Sequence, residues 1–346
     1  MPGILIVGGG LAGLATAAAL QNIVNGTDSA DLGVHVIEKR GDDSLENETA
    51  GAAIQLGPNA FKALKAIGGQ ALVEAIYDAG SELEANQILL PGGAPPMSIP
   101  NTAKEDTGYP IVLVRWGVLR KLLGDLLPKE SISFGNGFSD ICGYSLEGDD
   151  NDIVVQPINQ KGEKVDIGSF SPQLIVGADG LKSVFRDRVQ TQTTSPEETT
   201  AENESSPLKD NGRVNIKAVV PCELKELGES FAKEGATYGQ FDPQLAAFAG
   251  PAGKGYTYWA IAVADDPESG ARFLSDCWED KAASKTLLLE KLKAASGVVD
   301  RSWVASLVEQ TDPSAILIDR SMEAPIEEGN SFVSNDGRVV LVGDAA

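Results

Sequence analysis

Gly8-Gly9-Gly10-Leu11-Ala12-Gly13 stands between a continuous apolar run, Ile4 to Val7, and a stretch rich in Ala and Leu, Leu11 to Leu20. That order reads strand, tight turn, helix, and its spacing is G-x-G-x-x-G. Gly8 permits the turn, Gly10 lets a pyrophosphate approach the backbone, and Gly13 lets the helix pack closely on the strand. Leu11 and Ala12 open the helix, whose free N–H groups and positive dipole end favour an anion. Beyond a polar connection, Gln21 to Gly33, a second apolar run, Val34 to Ile37, ends at Glu38. Buried parallel strands carry such runs and need a helical crossover, so a parallel βαβ unit is the economical reading. Glu38 would accept from both hydroxyls of an adenosine ribose, and its charge disfavours NADP at this first site.

The rest of the chain continues the α/β pattern. Ala60 to Ala66 and Ala71 to Ala79 read as short helices separated by Gly68-Gly69. Gln87 to Leu90 and Met97 to Ile99 read as a hairpin, and Arg115 to Leu127 as an amphipathic helix entered from the strand Ile111 to Val114. Leu174 to Val176 is a buried strand ending in Gly177-Ala178-Asp179-Gly180. Residues 191–212 are rich in Thr, Glu and Ser, and a flexible acidic loop is expected there. Strands Val214 to Val220 and Tyr256 to Val263, with helices Lys281 to Ala295 and Ser302 to Gln310, suggest a mixed sheet inserted before a last strand, Val339 to Val342. That strand ends in Gly343-Asp344 and belongs, by its apolar run, in the middle of a covered sheet. No covering element follows, so the chain reads as truncated.

Composition removes several functions. Asp+Glu 50 against Lys+Arg 28 gives a formal charge of -22, a field that opposes nucleic acid and acidic membranes. No apolar run is long enough to span a bilayer and no leader precedes Ile4, so a cytoplasmic protein is expected. Cys142, Cys222 and Cys277 lack C-x-x-C spacing, and His35 is the single histidine, so no zinc or iron site is expected. His35 alternates with Val34 and Val36 and reads as a packing residue. Catalysis, if there is any, must then use a bound cofactor or carboxylates.

Two more strand ends, at Asp179 and at Asp344, carry a carboxylate beside glycine. Ligands of open α/β sheets lie across strand carboxyl ends, so both acids could reach the crevice at Gly8 to Gly13. An extended polyhydroxylated ligand such as FAD would use more than one of them. Taken in order, Ile4 to Leu20 with Glu38, Gly51 to Ala60, Val114 to Arg120, Val176 to Gly180 with Ser183 and Arg186, and Val340 to Ala346 resemble the FAD-dependent monooxygenases of the aromatic hydroxylase class. Salicylate hydroxylases and zeaxanthin epoxidases are similar.

The resemblance implies a Rossmann-like FAD-binding domain of the glutathione-reductase type with an inserted mixed β-sheet substrate domain. The FAD-binding parts would be 1–80, 111–190 and 336–346, with 81–110 and 213–335 on the substrate side. It also implies that the glycine motif and Glu38, with Lys39 beside it, hold the AMP half. Arg115 would contact the cofactor, Asp344 beside Gly343 would bind the ribityl hydroxyls, and Asp179 would serve both flavin and nicotinamide. The family usually has an Arg just before the Gly51 segment, where this chain offers only Arg40, and it continues after G-D-A-A with a His-Pro pair. NADPH or NADH would reduce the flavin and O2 would add as a C4a-hydroperoxide that hydroxylates or epoxidises a small apolar or aromatic substrate. No side chain is singled out as catalytic. An isoprenoid-type FAD reductase and a non-catalytic FAD-binding protein are the alternatives. Tyr238, Phe241, Phe248, Tyr256, Tyr258 and Trp259 would line a substrate pocket or, the favoured reading, pack a half-buried sheet.

Overall fold

A computed structural model describes residues 3–26, 32–41, 43–135, 143–147, 154–158, 161, 163–164, 172–186, 189, 209–241, 245–264, 280–294, 300–323 and 331–346. In chain order the first elements are Ile4–Val7 (β1), Leu11–Asn25 (α1), Val34–Glu38 (β2), Asp43–Glu46 (α2), Ala53–Leu56 (β3), Pro58–Ala79 (α3), Ser81–Leu83 (β4), Ala85–Ile88 (β5), Met97–Pro100 (β6), Ala103–Thr107 (α4), Ile111–Arg115 (β7) and Trp116–Gly124 (α5). There follow Ile132–Phe134 (β8), Gly143–Glu147 (β9), Val154–Ile158 (β10), Leu174–Gly177 (β11), Lys209–Val220 (β12), Ala236–Phe241 (β13), Leu245–Pro251 (β14) and Thr257–Ala264 (β15). Lys281–Ala294 (α6), Ser302–Gln310 (α7), Leu317–Glu323 (β16) and Val339–Leu341 (β17) complete the set.

Five strands form a parallel sheet in the order β17-β11-β1-β2-β8. Side-chain alternation divides its two apolar faces. Ile4, Ile6, Val34 and Val36 pack with Leu14, Ala17, Phe61 and Leu123 of α1, α3 and α5. Leu5, Val7, Ile37 and Ile175 pack on the other side with Val155, Phe185 and Val189. Burial on both faces is what the continuous apolar runs of β1 and β2 require. A three-stranded antiparallel sheet, β3-β7-β4, lies beside α3 and α5.

The remaining strands make a seven-stranded sheet, β16-β12-β15-β14-β13-β5-β6, antiparallel except where β13 runs parallel to β5. One face carries Ile216, Ala247, Tyr238, Trp259 and Ile261 against Leu288 and Leu292 of α6 and Trp303, Val304 and Leu307 of α7. The architecture is thus the expected α/β one with a mixed sheet contributed partly by the hairpin β5–β6. Among the described residues, no helix is long and apolar enough to cross a membrane.

Several expectations change. α1 runs through Asn25 instead of stopping at Leu20, since polar residues on an exposed last turn need no apolar partner. The two helices expected around Gly68-Gly69 are present: α3 is two helical segments meeting at a kink where Gly69 has non-helical angles, φ 68° and ψ -166°. Of the loop expected at 191–212, residues 191–208 lie outside the described set, while 209–212 begin β12. There Lys209 and Asp210 pair with Glu323 and Met322 across a register shift, because backbone ladder bonds form without apolar side chains. β17 is an edge strand, not a central one. Val339 and Leu341 are buried by packing with Leu5, Val7 and Phe185, while residues 332–334 run back along the outer side of β17, Leu341 donating to the Phe332 carbonyl and Ser334 to that of Val339.

Candidate functional site

Parallel pairing brings the carboxyl ends of β1, β11 and β17 side by side, so the turns that follow them meet. Gly8 has φ +109°, and a Cβ there would stand 2.3 Å from the Ala178 carbonyl oxygen. A Cβ on Gly13 would stand 1.9 Å from the Gly8 oxygen, so only glycine lets α1 approach β1 this closely. Gly343, at φ +63°, sits with its Cβ position 2.7 Å from Ala12 Cβ. Above Gly10 the situation reverses, with no heavy atom within 4 Å of a Cβ built there. Gly10 is also the N-cap of α1 and supplies no capping side chain. The amides that begin at Leu11 and Ala12 therefore open towards free space with the positive helix end behind them.

Glu38, at the end of β2, is 8% exposed. Its Oε2 accepts from the Gly9 amide at 2.9 Å and its Oε1 from the Arg40 amide at 2.8 Å. Arg120, 1% exposed on α5, donates from Nη2 to Glu38 Oε2 at 3.3 Å and from Nε to the Gly9 carbonyl at 2.7 Å. Its guanidinium also lies 5.5 Å from the Trp116 ring. Burial pulls the Arg120 pKa below its ordinary value, and the Glu38 charge pulls it back. Sequence reasoning missed this residue, yet a signal existed: Arg120 falls on the apolar stripe of Trp116, Leu119 and Leu123. Lys39 is exposed beyond Glu38, and its carbonyl crowds Gly135.

The Asp179 carboxylate accepts from the Val184 amide through Oδ2 at 2.9 Å, while its buried Oδ1 has no partner. Arg186 joins two of the strand-end turns by donating to the carbonyls of Leu181 and Asp344, each at 2.8 Å. Since the bond uses the Asp344 main chain, that carboxylate stays exposed and uncommitted to Arg186. Glycine loop, Glu38, Asp179 and Gly343-Asp344 thus gather at one sheet end. Arg115 makes different contacts: its guanidinium lies 4.4 Å over the Tyr256 ring and 3.3 Å from Glu48, and its buried Nε has no partner. It ties β7 to the turn between β14 and β15. His35 meets the Ser133 hydroxyl at 2.9 Å, and burial lowers its pKa.

Aromatic residues of the seven-stranded sheet divide by parity. Tyr238 and Trp259 are fully buried against the helices, Trp259 donating from Nε1 to Thr311. Phe248 and Tyr258 point to the opposite face, with ring centroids 6.0 Å apart among the half-buried Ala246, Ala260 and Ala262. Burial and the charge of Asp319 push the Tyr258 hydroxyl up to about 12. Phe241 is 62% exposed at the rim. A cavity of about 540 Å³ opens at the sheet end beside Tyr256 and Pro251.

This chain matches the FAD binding domain family over residues 2–218. It is 26% identical to the FAD-dependent monooxygenase terM of Tolypocladium album over 99% of this chain and 63% of that protein. With the FAD-dependent monooxygenase pynG of Aspergillus niger it shares 26% identity over 56% of this chain and 40% of the relative. Less than two thirds of either relative's length is therefore spanned. Among solved structures, Klebsiella pneumoniae HpxO complexed with FAD and uric acid superposes with a TM-score of 0.71 at 20% identity, covering 99% of this chain and 72% of that one.

Proposed function

The chain belongs to the FAD binding domain family, and from that premise we propose that it acts as a FAD-dependent monooxygenase using NADPH or NADH and O2 on a small apolar or aromatic substrate. The observation that carries the reading is the open space over Gly10 at the start of α1, at the same sheet end as Glu38, Asp179 with its unpartnered Oδ1, and the exposed Asp344. A dinucleotide fits this set chemically. Amides of the Gly8–Gly13 turn would hold the pyrophosphate, Glu38 the adenosine ribose, and Asp344 and Asp179 the hydroxylated chain. Arg115, with Lys39 further out, would contact the same ligand.

FAD, when bound, supplies electron transfer from the nicotinamide and the activation of oxygen that no side chain here can perform. The protein's own work is to bind, orient and exclude water. Phe248 and Tyr258 would offer ring faces to an apolar molecule, on the sheet face that also carries the small side chains of Ala246, Ala260 and Ala262. The Tyr258 phenol stays protonated at neutral pH and can donate a hydrogen bond to a substrate oxygen. Both relatives above carry the name of FAD-dependent monooxygenase, which supports the same reading.

Flavin content comes first as a test: purified protein incubated with FAD and desalted should retain the flavin bands. Added NADPH or NADH with candidate aromatic substrates should then consume O2 and give a product heavier by one oxygen atom. A product that gains two hydrogens instead would make the protein a reductase, and a colourless preparation unable to take up FAD would refute the whole reading.

A further inference from the structure

Arg120 carries a full charge into the interior of α5, on a stripe where its neighbours are Trp116, Leu119 and Leu123. Taking a guanidinium out of water is unfavourable unless its bonds are well directed. Here two of them reach Gly9, in the glycine turn, and Glu38, at the end of β2. Nε binds the Gly9 carbonyl at 2.7 Å and Nη2 binds Glu38 Oε2 at 3.3 Å, while that same oxygen accepts the Gly9 amide at 2.9 Å. Both polar groups of the Gly9 residue are therefore held, its carbonyl by Arg120 and its amide by Glu38. Gly9 has no room for a side chain, because a Cβ would stand 2.9 Å from Glu38 Oε2. Filling the volume needs only an apolar residue like those beside it. The charge and the planar fork answer a different need.

Building on the FAD reading above, we infer that Arg120 is a positioning residue for the adenosine half of the cofactor, locking Gly9 and the Glu38 carboxylate into one unit. It also neutralises Glu38. Without it, a chain of net charge -22 would set an uncompensated carboxylate next to the place where a pyrophosphate must bind, and the like charges would repel. With both Oε atoms already anchored by main-chain amides, the remaining lone pairs of Glu38 point in fixed directions. Ribose hydroxyls then meet an acceptor whose rotamer freedom is already lost.

The test compares FAD with FMN, which lacks the AMP half, by flavin fluorescence titration of wild type, Arg120→Lys, Arg120→Met, Glu38→Gln and the double variant Arg120→Met/Glu38→Gln. Arg120→Lys keeps the charge but replaces the planar fork, whose Nε and Nη2 each meet one partner, with a single nitrogen on a flexible stem. It should fold with a near-wild-type melting curve and raise the FAD dissociation constant about tenfold, the equivalent of one charge-assisted bond, with FMN affected less than about twofold. The double variant should lose no more FAD affinity than the weaker-binding single one, as expected of residues acting as a unit. Equal weakening of FAD and FMN, wild-type FAD affinity in Arg120→Lys, multiplying effects in the double variant, or loss of folding in both Arg120 variants would each overturn the inference. A wild-type chain that takes up no FAD would sink the FAD reading and this inference together, whereas normal FAD binding by the Arg120 variants would sink the inference alone.

Discussion

Gly10→Ala separates the ligand role of the glycine turn from its structural role. No heavy atom lies within 4 Å of the new Cβ, and the backbone at φ -79°, ψ -176° accepts alanine. In the ligand-free protein two small terms oppose each other. Alanine is a poorer N-cap, by about 0.5–1 kcal/mol, and it restricts the unfolded chain, a stabilising effect of about 0.4–1 kcal/mol. Stability should therefore stay within about 1 kcal/mol of wild type, a Tm shift of at most roughly 4 °C. Bound FAD would meet the methyl group in the space its pyrophosphate needs. Losing one charge-assisted N–H contact of about 1.5–3 kcal/mol raises Kd roughly 10- to 150-fold. Gly13→Ala provides the contrast, because its Cβ would lie 1.9 Å from the Gly8 oxygen and 3.3 Å from Ala178 Cβ. α1 must move, at a cost of about 1–3 kcal/mol, so stability and FAD affinity should fall together. Thermal melts with and without FAD, combined with fluorescence titration, read both quantities. A folded Gly10→Ala protein that binds FAD as tightly as wild type would refute the assignment of that open space to the pyrophosphate.

Two further outcomes are expected. Asp344→Ala should leave the stability unchanged within about 0.5 kcal/mol, because Arg186 binds the main chain at 344, while the FAD dissociation constant rises about tenfold; a large Tm loss with intact FAD affinity would contradict this. His35 is held neutral by burial, its pKa below the ordinary 6.5, so the unfolded chain takes up that proton first. The stability it contributes is complete above about pH 6.5 and is lost as pH falls through the lowered folded-state value. Melting temperature should therefore drop between pH 7 and pH 5.5 in wild type and drop less in His35→Gln, and equal drops would rule out His35 as the source.

What could be read from the amino acids follows the physics of each signal. β1, α1 and β2 were legible because period, glycine spacing and a terminal acid agree across them. The strand ends before Asp179 and Gly343-Asp344 were legible because apolar runs stop abruptly at glycine. Arg120 was hidden, since its contacts are with Gly9 and Glu38, residues 111 and 82 positions away. The aromatic residues of β13 to β15 showed alternation without showing which parity faced α6 and α7. Tyr238 and Trp259 took the core, leaving Phe248 and Tyr258 for the open face. Strand formation at 209–212 was illegible because an exposed ladder leaves no apolar signature, and the outer position of β17 was illegible because Val339 and Leu341 are buried by the same core that buries the central strands.

Strand order in the parallel sheet also imposes a schedule on biosynthesis. β1 leaves the ribosome first, yet its neighbour β11 begins at Leu174 and the outer strand β17 at Val339. At roughly 5–20 residues per second, the interval between translation of Ile4 and of Val339 is on the order of 20–70 s. First β1, until β11 is made, and then β11, until β17 follows, presents an unfilled hydrogen-bonding edge of the kind that recruits stray strands. Yield in a cell should accordingly respond to chaperone supply and to slow translation far more than the equilibrium stability of the finished molecule would suggest.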